Sequence, residues 1–306
     1  NFVKEIKPDM ILGMGGYASS EICRAGGRDV CVIIQEQNSI AGRVNRFLIF
    51  FRKASAAIQG LPGSFGKLDR LMMRFSDDMR FLGNPILSVS THPETIDQLP
   101  GNINGPSVIK VPEWVKNPLG KYYMYFGHHR GTYIRLAYAN SIEGPWFMYE
   151  PGVLKMEDAY AIRHIASPDV HVDDDNKIIR MYYHSPIDQP REQRTRVATS
   201  PDGINFSARP EILGAPYFRV LFWDDFYYAV GMPGIFYRSV NPVSGFVEGP
   251  TLFGPDQRHV ALFKDGDTLN IFHTFAGDEP ENILLSKVDV SPDWMDWHAS
   301  ESQVVL

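Results

Sequence analysis

Ser167-Pro168-Asp169-Val170-His171-Val172 sets a polar residue directly before a valine and then runs on as a short apolar strand. The same opening recurs at Ser107-Val108, Arg219-Val220 and His259-Val260. Each opening is followed by a turn, an aromatic strand, a second turn, a third strand and a closing strand. From Asp169 the chain reverses through Asp173, Asp174, Asp175 and Asn176 into residues 178–183. From Arg219 it reverses at Asp224-Asp225 into 226–230, and from His259 at Asp265-Gly266-Asp267 into 269–272. The first unit takes a longer turn, ending Asn117-Pro118-Leu119-Gly120, before 121–126. Asp, Asn, Gly and Pro are the residues that tight reversals accept. Third strands are expected at 133–138, 195–199, 234–237 and 283–288. Trp146, Phe206, Phe246 and Trp297 fall in the closing strands, where they would cap the gaps between neighbouring sheets. A four-stranded unit repeating about every 40 to 60 residues predicts a mainly β protein folded as a β-propeller.

Composition agrees with a large all-β domain. The 306 residues are 44% hydrophobic and 12% aromatic, with 26 Gly and 22 Pro, enough for a sizeable core and many turns. A net charge of −6 offers no basic field to a nucleic-acid backbone, so nucleic acid is not an expected partner. No stretch approaches the roughly 20 apolar residues that span a bilayer, and residues 47–51 are far too short. Cys23 and Cys31 form neither a disulfide framework nor a metal-ligand spacing. No cofactor is expected, and the default address is cytoplasmic.

Residues 1–60 read differently, as a small partial α/β Rossmann-like segment. A buried strand at 10–12, a glycine turn Gly13-Met14-Gly15-Gly16-Tyr17, a short helix and a buried strand at 30–34 make a βαβ pattern. A glycine turn after a parallel strand can cradle a phosphate. The stretch Lys7-Pro8-Asp9-Met10-Ile11-Leu12-Gly13-Met14-Gly15-Gly16-Tyr17-Ala18-Ser19, with Gln35-Glu36-Gln37-Asn38-Ser39-Ile40-Ala41-Gly42 and Asn45-Arg46, closely resembles the acceptor-side domain of MurG, over about residues 5–48. That family transfers N-acetylglucosamine to lipid I. The resemblance implies acceptor binding by Gly15, Gly16, Tyr17, Gln37 and Asn38. Residues 61–82 read as a linker with helical character, and 83–306 as the propeller.

In a blade running from axis to rim, the loop opening strand one and the loop joining strands two and three lie on the same side. Polar residues there are Asn104, Ser107, His128, His129, Arg130, His164, Asp169, His184, Asp188, Arg194, Tyr217, Arg219, Arg258, His259, Asp278 and Glu279. The opposite loops carry plain turn formers such as Asp202-Gly203 and Asp265-Gly266. A polar axial funnel of this kind suits the hydroxyl or carboxylate groups of a small ligand, with Tyr133 and Tyr217 available to stack on a sugar ring.

From Asn84 onward the sequence resembles the five-bladed propellers of the glycoside hydrolase family 43 type. The carriers are Gly83-Asn84-Pro85-Ile86-Leu87, Gly105-Pro106-Ser107-Val108-Ile109, Lys121-Tyr122-Tyr123-Met124-Tyr125, Glu143-Gly144-Pro145-Trp146 and Ser167-Pro168-Asp169-Val170. The resemblance implies a glycosidase acting on a small sugar or oligosaccharide with carboxylates around the axis, and it puts Asp169 where the second-blade Asp tunes the acid. Two positions depart from that pattern. Gly105 stands where the first-blade base Asp is usual, and Phe218-Arg219 opens the third blade without a carboxylate. Glycoside cleavage needs two carboxylates about 5 to 10 Å apart. Glu279, Glu281, Asp278 or Asp158 would supply the second, or His259 the acid, since its ordinary pKa suits proton transfer near neutrality. His171 reads as a core residue. Four blades are visible, and 84–87 reads as the closing strand of a fifth whose inner strands are expected beyond Leu306. A noncatalytic carbohydrate-binding propeller is the alternative: an axis lined only by Arg and His favours it. A remnant of a MurG-type N-acetylglucosaminyltransferase is a third reading.

Overall fold

The computed structural model describes residues 18–25, 29–36, 46–50, 104–128, 131–188 and 192–305. Strands β1 (Ala18–Ala25), β2 (Asp29–Glu36) and β3 (Arg46–Phe50) form one antiparallel sheet in the order β1-β2-β3. This corrects the βαβ expectation for that segment: β1 occupies the place of the short helix, and β2 runs against its neighbours. The physical reason is chain length: only three residues separate β1 from β2, far too few for the crossover that a parallel pair needs.

Four more sheets each have four antiparallel strands in sequence order and stand as the blades of a propeller. The first contains β4 (Asn104–Lys110), β5 (Tyr122–Gly127), β6 (Tyr133–Ala139) and β7 (Phe147–Lys155). The second contains β8 (Ala166–Asp173), β9 (Ile178–Pro186), β10 (Gln193–Ser200) and β11 (Ser207–Ala208). The third contains β12 (Arg219–Trp223), β13 (Phe226–Gly231), β14 (Ile235–Ser239) and β15 (Val247–Thr251). The fourth contains β16 (Gln257–Asp265), β17 (Thr268–Phe275), β18 (Leu284–Asp289) and β19 (Gln303–Val304). β1 lies beside β4 and reaches β16. The closing strand expected at 84–87 lies outside the described residues. Among the described residues no helix is long and apolar enough to cross a membrane.

The core lies between blades because each sheet buries both faces against its neighbours. Phe206, just before β11, meets Tyr125 of the first blade edge-on with ring centres 5.8 Å apart. Phe246, just before β15, meets Tyr182 of the second at 6.5 Å. Trp297 packs on Tyr228 and Phe236 of the third at 5.2 and 5.4 Å. Three of the expected aromatic caps, Phe206, Phe246 and Trp297, thus fill the gap with the preceding blade from positions ahead of the closing strand, whereas Trp146 packs within the first blade's own cluster.

Hydrogen bonds repeat along with the packing. The Val170 N–H donates to Ser107 Oγ, and the Val220 N–H to Asp169 Oδ2, each at 2.9 Å. In the first and second blades the polar residue before the valine thus receives the backbone N–H of the next blade's valine. One strand outward, Tyr125 and Tyr182 pair with Ser107 and Asp169 and donate their hydroxyls to Gly203 O and Pro242 O of the following blade, each at 2.8 Å.

Candidate functional site

The strand openings converge at one end of the propeller, and their register decides which side chains arrive there. The β4–β5 and β8–β9 ladders carry bulges between Asn104 and Ser107 and between Ala166 and Asp169, with Gly105 (φ 52°) and Ser167 (φ 51°) in the left-handed region. Tyr217 (φ 66°) stands two residues before Arg219 in the same way. In the fourth blade the bulge lies between Arg258 and Val260, and the left-handed residue is His259 (φ 40°). His259 is thus the counterpart of Gly105, Ser167 and Tyr217, and Ala261 is the counterpart of Ser107, Asp169 and Arg219. This corrects the sequence register at the fourth opening by two residues. A bulge absorbs the extra residues and re-aims the side chain.

Ring contacts tie these residues together across three blades. His164 and His184 meet at 6.2 Å, His184 and Tyr217 at 4.0 Å, and Tyr217 and His259 at 4.9 Å. His164 Nε2 also lies 3.3 Å from Gln193 Oε1. Arg219, only 4% exposed, donates to Phe218 O at 3.0 Å and Ser167 O at 3.4 Å. The charges acting on Tyr217 come from Arg258 and Arg219. His259 is 2% exposed, and burial, with Arg258, Arg219 and His184 nearby, holds its pKa well below the ordinary histidine value. It is therefore neutral, with one donor and one acceptor nitrogen. Among the described residues neither nitrogen has a hydrogen-bond partner, and neither does the buried Ser167 Oγ.

Asp169 is built into the scaffold. Besides the Val220 N–H, its Oδ2 accepts the Nε2–H of His171 at 2.8 Å. Burial pushes its pKa up, but His171, Arg219 and the Val220 N–H outweigh that and leave it below the ordinary carboxylate value. His171 therefore differs from its expected role in the core: its side chain is 25% exposed and orients Asp169. The i, i+2 spacing, which puts both side chains on one face of a strand, was the available signal. A side chain at Gly105 would be strained, since φ is 52° and a Cβ there would stand a tight 3.0 Å from Ser167 Cα.

The other expected site residues divide by exposure and position. His128 and Arg258 are half-buried, and Glu279 is exposed. Asn104 opens β4. His129 and Arg130, and Gly15, Gly16, Tyr17, Gln37 and Asn38, lie outside the described residues. Among the described residues no group of three or more His, Cys, Asp or Glu could hold a metal ion. Ser167 was missed by sequence reasoning, as was a second buried cluster in the fourth blade. There His273 Nε2 lies 3.0 Å from Ser286 Oγ, which lies 3.0 Å from Ser302 Oγ.

No family model matches the chain. The "Uncharacterized protein R118" of Acanthamoeba polyphaga mimivirus is 34% identical over 257 residues, covering 72% of this chain and 71% of that protein. A second set of relatives is the UDP-N-acetylglucosamine–N-acetylmuramyl-(pentapeptide) pyrophosphoryl-undecaprenol N-acetylglucosamine transferases. That of Blochmanniella pennsylvanica is 40% identical over 85 residues, or 28% of this chain and 20% of its own length. That of Photobacterium profundum is 35% identical over 89 residues, or 28% and 23%. The chain thus spans only about a fifth to a quarter of these transferases. Among solved structures, the chain resembles a glycoside hydrolase family 43 arabinoxylan arabinofuranohydrolase from Bacillus subtilis in complex with cellotetraose. The TM-score is 0.53 and the identity 13%, over 98% of this chain and 67% of that one. It also resembles the structure of BT0996 in an RGII complex, with TM-score 0.57 and 15% identity over 93% and 92%. At these identities the likeness is one of fold.

Proposed function

The protein is a member of the family of the mimivirus protein R118, and from that premise we propose that it is a carbohydrate-active β-propeller binding a saccharide at the axial end of its second, third and fourth blades. The observation that carries this reading is His259, whose two buried ring nitrogens lack hydrogen-bond partners among the described residues, beside the ring of Tyr217. An unsatisfied buried polar group costs about 1–3 kcal/mol, and a sugar hydroxyl, which both donates and accepts, relieves it. Half-buried Tyr217, its ring backed by that of His184 at 4.0 Å, offers the ring on which a pyranose stacks. The fold likeness to a family 43 enzyme bound to an oligosaccharide supports the same assignment.

The geometry favours recognition over cleavage. A general acid needs a raised pKa, whereas Asp169 is held low and its Oδ2 is already engaged. Titration calorimetry against xylo-, arabino- and cello-oligosaccharides, with reducing-end release measured in parallel, tests the reading. Binding is expected, and Tyr217→Ala should weaken it at least tenfold. If no saccharide binds, or if Tyr217→Ala binds as well as the parent, the reading fails.

The 40% identity over 85 residues to an N-acetylglucosamine transferase favours a second reading, glycosyl transfer. Transfer from UDP-N-acetylglucosamine to a lipid I analogue, abolished by Gly15→Val, would support it.

A further inference from the structure

The equivalent positions at the four strand openings, Gly105, Ser167, Tyr217 and His259, share one backbone conformation, with φ of 52°, 51°, 66° and 40°. Glycine adopts it without strain, and the first blade uses glycine. The other three openings carry a side chain there against a backbone cost, a pattern that clusters at ligand sites. Tyr217 supplies a ring and His259 its unpartnered nitrogens, which leaves Ser167 to be explained. Ser167 is 2% exposed, and its Oγ has no hydrogen-bond partner among the described residues. Its main-chain O accepts from Arg219 Nη1 at 3.4 Å, which sets it against the third opening, where Tyr217 stands two residues before Arg219. A Cβ at Gly105 would stand 3.2 Å from Ser167 Oγ, so a side chain at the first opening would crowd that hydroxyl and glycine does not.

We infer that Ser167 is a specificity-determining residue of the axial site, its hydroxyl reading one hydroxyl group of the saccharide while His259 reads another across the ring of Tyr217. The inference rests on the saccharide-binding reading above and adds a second-blade contact to it. A serine hydroxyl carries no charge and both donates and accepts, which matches a neutral sugar hydroxyl. Left without a partner in the free protein, it gains one in the complex, so this bond favours binding without being needed for folding.

Calorimetry with xylotetraose, arabinotetraose and cellotetraose compares the parent with Ser167→Ala. The variant should bind the preferred tetraose about fivefold more weakly, the worth of one neutral hydrogen bond. It should keep the parent's melting temperature, because the hydroxyl it removes has no partner to lose. Deoxy forms of that tetraose, each lacking one hydroxyl, separate a contact from a packing effect. One of these deletions should weaken binding to the parent about fivefold and leave binding to Ser167→Ala unchanged. Equal affinity of parent and variant overturns the inference and leaves saccharide binding intact. A lowered melting temperature, or a variant that does not fold, also overturns it, since the hydroxyl would then be holding the scaffold. So does a deoxy series in which every deletion affects parent and variant alike. Binding of none of the three tetraoses overturns both this inference and the reading beneath it.

Discussion

Asp169 Oδ2 receives the main-chain N–H of Val220 at 2.9 Å, so a carboxylate on the second blade holds the inner strand of the third. The same oxygen takes the ring N–H of His171 at 2.8 Å. Hydrogen bonds to a charged group contribute about 1.5–3 kcal/mol each. Asp169→Asn keeps an acceptor but loses the charge, and is expected to lower stability by roughly 2 kcal/mol in urea titration at pH 7. The folded pKa of Asp169 lies below its unfolded value of about 3.9, so its contribution is present above that pH and is lost as pH falls through the folded value. The gap between parent and variant should therefore close below about pH 4. A gap unchanged down to pH 2 would show that the charge is not what the variant removes.

His273 titrates in a different window. It is fully buried against Ser286 and the ring of Phe253, and burial lowers its pKa to about 4. The unfolded chain takes up its proton near pH 6.5 and the folded one does not. This residue's contribution is therefore complete above about pH 6.5 and falls as pH drops towards 4, by on the order of 3 kcal/mol. His273→Asn should be less stable at pH 7.5 and should show a flatter stability profile between pH 6.5 and 4. A parallel profile would mean that another group carries the acid sensitivity.

Tyr125 and Tyr182 perform one task in successive gaps, and their removal should cost alike. Tyr125→Phe and Tyr182→Phe each delete a single inter-blade hydrogen bond, to Gly203 O and Pro242 O. Each should lower stability by about 1 kcal/mol, and the double variant by about the sum, because the sites share no partner. A double variant costing clearly more than the sum would reveal coupling through the second blade.

Much of this architecture is written in short-range chemistry. Turn residues and alternating strands locate the hairpins, since a reversal at Asp224-Asp225 or Asp265-Gly266 needs nothing from the rest of the chain. What fails is register where a bulge intervenes. His259-Val260 imitates Asp169-Val170 in sequence, yet four residues separate Asp169 from Asp173 and Arg219 from Trp223 at their hairpin ends, against six from His259 to Asp265. Counting back four from Asp265 gives Ala261, so the offset was legible in hairpin length, though not in residue type. The partnership of Asp169 with Val220 was not legible, because it depends on how adjacent blades lean together. Nor was the antiparallel sheet β1–β3, whose glycine turns satisfy a βαβ pattern equally well.

The fourth blade's attachment to the third depends on one large ring, and this sets the heaviest expected penalty. Trp297, 2% exposed, meets Tyr228 at 5.2 Å and Phe236 edge-on at 5.4 Å, with Trp223 stacked at 5.9 Å. Its Nε1–H donates to Pro292 O at 3.2 Å. Truncating a buried tryptophan costs about 3–5 kcal/mol, because a cavity is left as well as lost transfer energy. That is a large fraction of a typical total of about 5–15 kcal/mol. Trp297→Ala should therefore lower the urea midpoint more than any variant above. Trp297→Phe should recover much of the loss, since a ring in the gap restores packing while the bond to Pro292 stays broken. If Trp297→Ala costs less than about 1 kcal/mol, far below the expected range, the third and fourth blades are held by something other than this aromatic stack.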